Sequence, residues 1–188
     1  MKVIPLHKNL DRLIEKAKTD DRNVQHQLYE FFAPKMLGVC RQYIKDTSVA
    51  EEIMLNGFFK VFTQIKSFKN EGSFEGWIRR IMVRESISFL RKKKQIHFLD
   101  EDKIGQTTEH ATYIESPLDI AYIQELIDAL PEGYKLVFMM YAIEGYKHSE
   151  IASELEISES TSKSQLFKAR KMLKKKLNEQ NATSYGTN

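Results

Sequence analysis

Residues 147–177, KHSEIASELEISESTSKSQLFKARKMLKKKL, constrain this chain more than any other stretch. KHSEIASELEIS reads as a short helix and a turn. Ser158 is then placed to N-cap a second, longer helix, with Thr161 and Lys163 in its first turns. On a wheel at about 100° per residue, Ser162, Leu166, Ala169, Leu173 and Leu177 fall on one side of that helix. Ser160, Lys163, Ser164, Phe167, Lys168, Lys171, Lys174 and Lys175 fall on the other. From Ser162 to Asn178 there are seven Lys or Arg and no acid. A solvated charge run explains the lysines and leaves Phe167 unexplained. A helix in a DNA major groove explains both: lysines meet phosphates, small polar side chains meet base edges, and an exposed apolar side chain meets a thymine methyl. Ile151, Ala152 and Leu155 give the short helix its apolar side, and Ala152 is small where two helices cross. The pattern is a helix-turn-helix with its recognition helix second.

Charge elsewhere supports a nucleic-acid partner. The net charge is only +3 over 188 residues, but it is unevenly placed. Arg91–Lys94 and Lys163–Lys176 concentrate positive charge, with Asp100–Asp102, Glu109 and Glu115 between them. Two basic surfaces joined by an acidic segment follow from that asymmetry. The single cysteine, Cys40, excludes an internal disulfide and a multi-cysteine zinc site, and its neighbours Leu37 and Val39 make it a buried structural thiol. The mixed N-terminus, with Lys2, Pro5, His7 and Asp11, is unlike a signal peptide, and no apolar run approaches ~18 residues. A cytoplasmic protein without membrane contact is expected. Phosphate-cradling glycine loops, metal-ligand clusters and triad spacings are missing from the sequence, so neither a reaction, a cofactor nor a metal is expected.

The other segments are helical as well. Residues 9–19 place Leu10, Leu13, Ile14 and Ala17 on one side, and a second helix begins at Asp20 and Asp21. Pro34 is expected to open a separate helix over residues 34–44. Ser48 and Glu51 form a capping-box pattern before residues 48–65, whose apolar residues cover roughly two thirds of the circumference, against a little over ~100° for an ordinary surface helix. Either that helix is central to a bundle, or part of it docks another protein. A polar loop, residues 66–73, leads to Ser73 as the cap of a helix over 74–94. There Arg80, Arg84 and Arg91 stack beside Trp77, a stripe suited to holding phosphates and stacking a base. Residues 95–115 carry no sustained period and form a linker. Ser116-Pro117 opens a helix that Leu130-Pro131 ends, a helix over 132–143 follows, and residues 178–188 are a polar, frayed tail.

In this order the segments resemble the sigma-70 family of RNA polymerase sigma factors, in the small two-domain extracytoplasmic-function (ECF) group. AEEIMLNGFFKVF (50–62) is similar to the polymerase-binding helix of region 2, and SFEGWIRRIMVRESISFLRKKK (73–94) to its −10-reading helix. Residues 130–177 resemble region 4, and YAIEGYKHSEIA with TSKSQL resembles the Bacteroidetes type. Four positions depart from the usual family pattern: Leu55 stands for glutamine, Arg84 for asparagine, Glu156 for glycine and Ser162 for valine.

The resemblance implies an all-α chain of two small helical domains: region 2 over 1–94, a flexible linker over 95–115, region 4 over 116–178 and a disordered tail over 179–188. It implies a factor that binds core RNA polymerase and directs initiation by reading −10 and −35 promoter elements. A stand-alone helix-turn-helix regulator and a polymerase-bound mimic that no longer initiates are the other readings. Contact with the −35 element is implied for Ser160, Lys163, Ser164, Gln165, Phe167, Lys168, Arg170 and Lys171. For the −10 element the residues are Lys69, Asn70, Ser73, Phe74, Trp77, Arg80 and Arg84, and for the polymerase Glu51, Glu52, Leu55, Asn56, Phe59 and Lys60. The partners implied are core polymerase, promoter DNA and an anti-sigma factor, the free factor being a monomer.

Overall fold

The computed structural model describes residues 6–93 and 120–184, and every regular element among them is helical. The chain divides into two compact units, Met1–Lys92 and Lys93–Asn188. The expected linker over 95–115 and the Ser116-Pro117 helix start lie outside the described residues.

Four α-helices build the first unit. They are α1 (Leu6–Ala17), α2 (Arg22–Tyr43), α3 (Thr47–Gln64) and α4 (Phe74–Lys92), with a short 3-10 turn, Ile65–Ser67, after α3. Asp20, at φ +63°, turns the chain after α1, and Asp21 Oδ1 accepts from the Asn23 and Val24 N–H groups to start α2.

Pro34 does not start a new helix; α2 runs through it. The buried residues Leu28, Phe32, Met36, Val39, Cys40 and Tyr43 form one unbroken stripe on both sides of Pro34. A proline inside a helix costs about 3 kcal/mol. Here both the proline and Glu30, whose carbonyl loses its donor, are exposed to water. Splitting the helix would break the stripe, so burial prevails over local propensity. The cap of α3 also differs from expectation. Asp46, not Ser48, accepts the Val49 N–H at 3.0 Å, because its carboxylate, two residues before Ser48, reaches the free donors of the first turn.

Helices α2, α3 and α4 pack against one another. Gly57 on α3 leaves room for a side chain of α4: a Cβ there would collide with the buried Met82 thioether. Tyr29 meets Phe58 edge-on at 4.9 Å, and Phe32 meets Phe74 at 5.8 Å. Cys40 is a free, fully buried thiol, and burial pushes its pKa up to about 11, so it stays protonated and unreactive.

The second unit comprises α5 (Ile120–Asp128), α6 (Glu132–Phe138), α7 (His148–Leu155) and α8 (Glu159–Ser184). The expected 132–143 helix is α6 continued by a π-helical turn, Met139–Ile143, and Gly145 at φ +72° ends it. Glu156 ends α7 in the left-handed conformation, φ 55° and ψ 44°, so the turn keeps a geometry that favours glycine although a glutamate occupies it. Ser158 Oγ accepts the Thr161 N–H at 3.0 Å and caps α8. The helix runs on to Ser184, beyond the point where a frayed tail was expected, because Leu177 to Ser184 contains no glycine or proline to stop it. Leu130, Tyr134 and Ala169 form a core cluster, with Phe138, Met172 and Leu173 packed on it.

Candidate nucleic-acid and protein interfaces

Helix α8 keeps its two sides apart. Ser162, Leu166 and Ala169 are buried against the rest of the unit, while Ser160, Lys163, Lys171, Lys174 and Lys175 are exposed. Phe167 is 68% exposed among the lysines, so it is not a core residue. Lys163 makes only a loose pair with Glu159, 3.8 Å apart and exposed, which a phosphate would displace at little cost. Ser164 Oγ donates to the Thr161 carbonyl at 3.0 Å and is half-buried, as is Lys168. Arg170 is exposed, and its guanidinium lies over the Tyr141 ring, 5.5 Å from the centroid.

Gln165 departs from expectation. It is 2% exposed, with its Oε1 buried and without a hydrogen-bond partner, so it does not share the face of Phe167. At about 100° per residue it lies about 60° from Ser162, on the packed side. The family resemblance implies a −35 contact for Gln165, and its burial does not agree with that.

The first turns of α7 and α8 also meet. Ser162 Oγ is 2.9 Å from His148 Nδ1, and the His148 ring stacks on Tyr141 at 4.6 Å. Desolvation, then the positive charge of Lys163, lowers the His148 pKa below its ordinary value, and Arg170 adds to that while Glu159 opposes it. The imidazole is therefore neutral at neutral pH. No sequence pattern pointed to this contact.

In the first unit, the loop before α4 carries two left-handed residues, Asn70 at φ 59° and Gly72 at φ 105°. Lys69, Asn70 and Ser73 are exposed there, and Ser73 Oγ accepts the Gly76 N–H at 3.4 Å. Trp77 is half-buried against Phe68 and Phe74, 5.5 and 5.7 Å away. Arg80 and Arg84 are exposed on its side of α4. Phe74 had been expected to contact DNA, but it is 4% exposed and packs between Phe32, Phe68 and Trp77. As the first helical residue it points back into the bundle, and it supports the indole from beneath.

Helix α3 resolves its apolar excess into two parts. Ala50, Ile53, Met54, Phe58 and Val61 are core. Leu55 at 53% and Phe59 at 71% are exposed, on a face shared with Glu51, Glu52, Asn56 and Lys60. Lys60 is tied to Glu85 of α4 at 2.6 Å. A helix that is both central and apolar on its outer face fits a surface a partner covers. Among the described residues, no group of His, Cys, Asp or Glu could hold a metal, and no helix is long and apolar enough to cross a membrane.

Family models match both units in the expected order: "Sigma-70 region 2" over residues 28–96 and "Sigma-70, region 4" over residues 120–173. Together they span well over half of the chain. It belongs to the sigma-70 family. It is similar to the ECF RNA polymerase sigma factor SigW of Bacillus subtilis, 26% identical over 182 residues that cover 89% of this chain and 96% of that one. It is also similar to the ECF RNA polymerase sigma-E factor of Haemophilus influenzae, 24% identical over 177 residues covering 88% and 93%. Among solved structures, the sigma factor RpoE from Bartonella quintana, crystallised with the anti-sigma factor NepR, shares the fold: the TM-score is 0.50 at 19% identity, covering 82% of this chain and 96% of that one. The chain is an ECF sigma factor acting in transcription initiation, and not an enzyme. The region 2 match leaves no place for the stand-alone regulator. Core RNA polymerase and promoter DNA are its partners.

Proposed function

We propose a division of labour among the three exposed surfaces of this sigma factor. The outer face of α3, centred on Leu55 and Phe59 with Glu51, Glu52, Asn56 and Lys60 around it, docks core polymerase. Lys69, Asn70 and Ser73, with Trp77, Arg80 and Arg84 of α4, hold the melted −10 strand, where stacking of a base on an aromatic is worth ~1–3 kcal/mol. Helix α8 enters the −35 major groove. Ser160, Lys163, Ser164 and Phe167 meet base edges near its N-terminal half, and Lys168, Arg170 and Lys171 meet phosphates further along. Phe74 and Gln165 support these surfaces from within.

The exposure of Phe167 among lysines, on a helix whose opposite side is packed, carries this reading. The domains run over 1–94 and 116–178, joined by 95–115, and two weak readers on one chain gain through effective concentration. The factor is cytoplasmic, a monomer when free, and of the Bacteroidetes type. An anti-sigma factor restrains it; the structural relative crystallised with NepR supports that partner.

The test is competition binding of −35 variants by the holoenzyme at several salt concentrations. Lys171→Ala weakens all sequences alike and lowers the salt slope by about one unit. Phe167→Ala changes which sequences are preferred, by ~1–3 kcal/mol. An unchanged ranking with Phe167→Ala would overturn the groove-reading role. For the −10 element, Arg80→Ala lowers permanganate reactivity of −10 thymines while polymerase binding holds, and unchanged reactivity would count against the stripe.

A further inference from the structure

Ser162, His148, Tyr141 and Arg170 form a chain of contacts that begins and ends on α8. Ser162 Oγ lies 2.9 Å from His148 Nδ1, His148 stacks on Tyr141 at 4.6 Å and 25°, and the Arg170 guanidinium lies over Tyr141 at 5.5 Å. The links come from three different elements: His148 is the first residue of α7, and Tyr141 belongs to the π-helical turn. Ser162 and Arg170 are eight residues apart on α8, so they lie about 12 Å apart along its axis and about 80° apart around it. The recognition helix is therefore held at two heights from one side.

Apolar packing alone does not set a helix's rotation sharply. Leu166 and Ala169 are buried by apolar contacts, which carry no directional bond to oppose a turn of about 20° about the axis. The same turn carries a side-chain tip at a radius of about 5–6 Å through about 2 Å. That distance exceeds the tolerance of a hydrogen bond or a close methyl contact. A hydrogen bond to a fully buried serine is directional, and a turn that breaks it leaves a buried polar group unsatisfied. In the neutral ring either tautomer keeps the bond: the serine hydroxyl donates to a bare Nδ1 or accepts from a protonated one.

We propose that His148 and Ser162 are positioning residues that set the rotation of α8 about its axis, and so decide which side chains face the −35 bases. This rests on the reading of α8 as the −35 reader. Ser162 lies about 140° around the helix from Phe167, on the far side from the DNA, so neither it nor its bond touches a base.

The experiment uses the holoenzyme with a −35 sequence selected from a randomised duplex library by wild type, and all its single-base variants. Ser162→Ala and His148→Ala reduce the ratio between the selected sequence and its variants by about five- to tenfold, the low end of the range of one base contact. Polymerase binding and helical content stay as in wild type. His148→Asn, whose side-chain amide replaces Nδ1, recovers most of the ratio. A purely structural role would lower affinity for every duplex equally and leave the ratios intact, and that result overturns the proposal. Phe167→Ala, run alongside, separates the two levels. If it shifts the ranking while the His148 and Ser162 variants do not, positioning is wrong and base reading stands. If Phe167→Ala also shifts nothing, the reading of α8 falls, and the proposal with it.

Discussion

Phe58 and Phe59 are neighbours on α3 with opposite environments, 3% and 71% exposed. Truncating each to alanine separates folding from docking. Phe58 packs between Tyr29 and Phe62, with ring centroids 4.9 and 6.0 Å away. Phe58→Ala therefore costs about 3–5 kcal/mol, most of what a small helical unit has. Phe59→Ala removes little packing, and alanine is the better helix former by several tenths of a kcal/mol, so stability changes by under about 1 kcal/mol. Docking is where Phe59 matters. A phenylalanine buries about 150–250 Å² when covered. Roughly seven-tenths of that awaits a partner, worth about 3 kcal/mol at about 25 cal/mol per Å². The expected loss of polymerase affinity is about 100- to 200-fold. The assay titrates each variant against labelled core polymerase, with thermal unfolding measured in parallel. If Phe59→Ala binds within twofold of wild type at normal helical content, the outer face of α3 is not the docking surface.

Gly57→Ala places a methyl against Met82, whose Cε lies 2.9 Å from the added carbon, and lowers stability by about 1–3 kcal/mol despite alanine's helix propensity; calorimetry showing equal or higher stability would contradict a tightly held Met82 side chain against Gly57. Glu156→Gly relieves a left-handed non-glycine residue and raises stability by about 1 kcal/mol, read as a higher unfolding midpoint, and a lower midpoint would refute it. The lowered His148 pKa makes its contribution to stability full above the ordinary histidine range and lost as pH falls through the folded value. Lys163 and Arg170 oppose its protonation, Glu159 favours it, and the Tyr141 ring covers one face. The unfolding midpoint of wild type is thus expected to drop more between pH 7 and pH 5 than that of His148→Asn, and equal drops would show that another group titrates.

Much of this architecture was legible in the sequence because it follows from helical period and strong caps. Ser73 and Ser158 cap the helices they were expected to cap. The misplaced features have two causes: at Pro34 tertiary packing overrode a local signal, and at the start of α3 one local cap prevailed over another. Pro34 is a helix breaker by propensity, but the stripe from Leu28 to Tyr43 crosses it. Ser48 and Glu51 match a capping box, yet Asp46 stands two residues before Ser48 and caps the helix. Phe74 and Gln165 both face inward; for Gln165 the helical period already pointed to the packed side. The His148–Ser162 bond joins residues 14 apart across a turn, and no periodicity predicts such a meeting. Phe167 was legible because an apolar residue in the middle of a basic face needs another explanation; the apolar excess of α3 was legible too, but that Leu55 and Phe59 are its exposed members comes from the fold.

The most direct test of the whole account is transcription from purified parts. Core RNA polymerase freed of other sigma factors is mixed with this protein and genomic promoter fragments, and the 5′ ends of the transcripts are sequenced. Discrete start sites are expected only when the protein is added, each at a fixed distance downstream of a shared pair of elements. Phe59→Ala is expected to reduce all of them together, while Phe167→Ala redistributes them among promoters. Start sites identical with and without the protein would contradict the account.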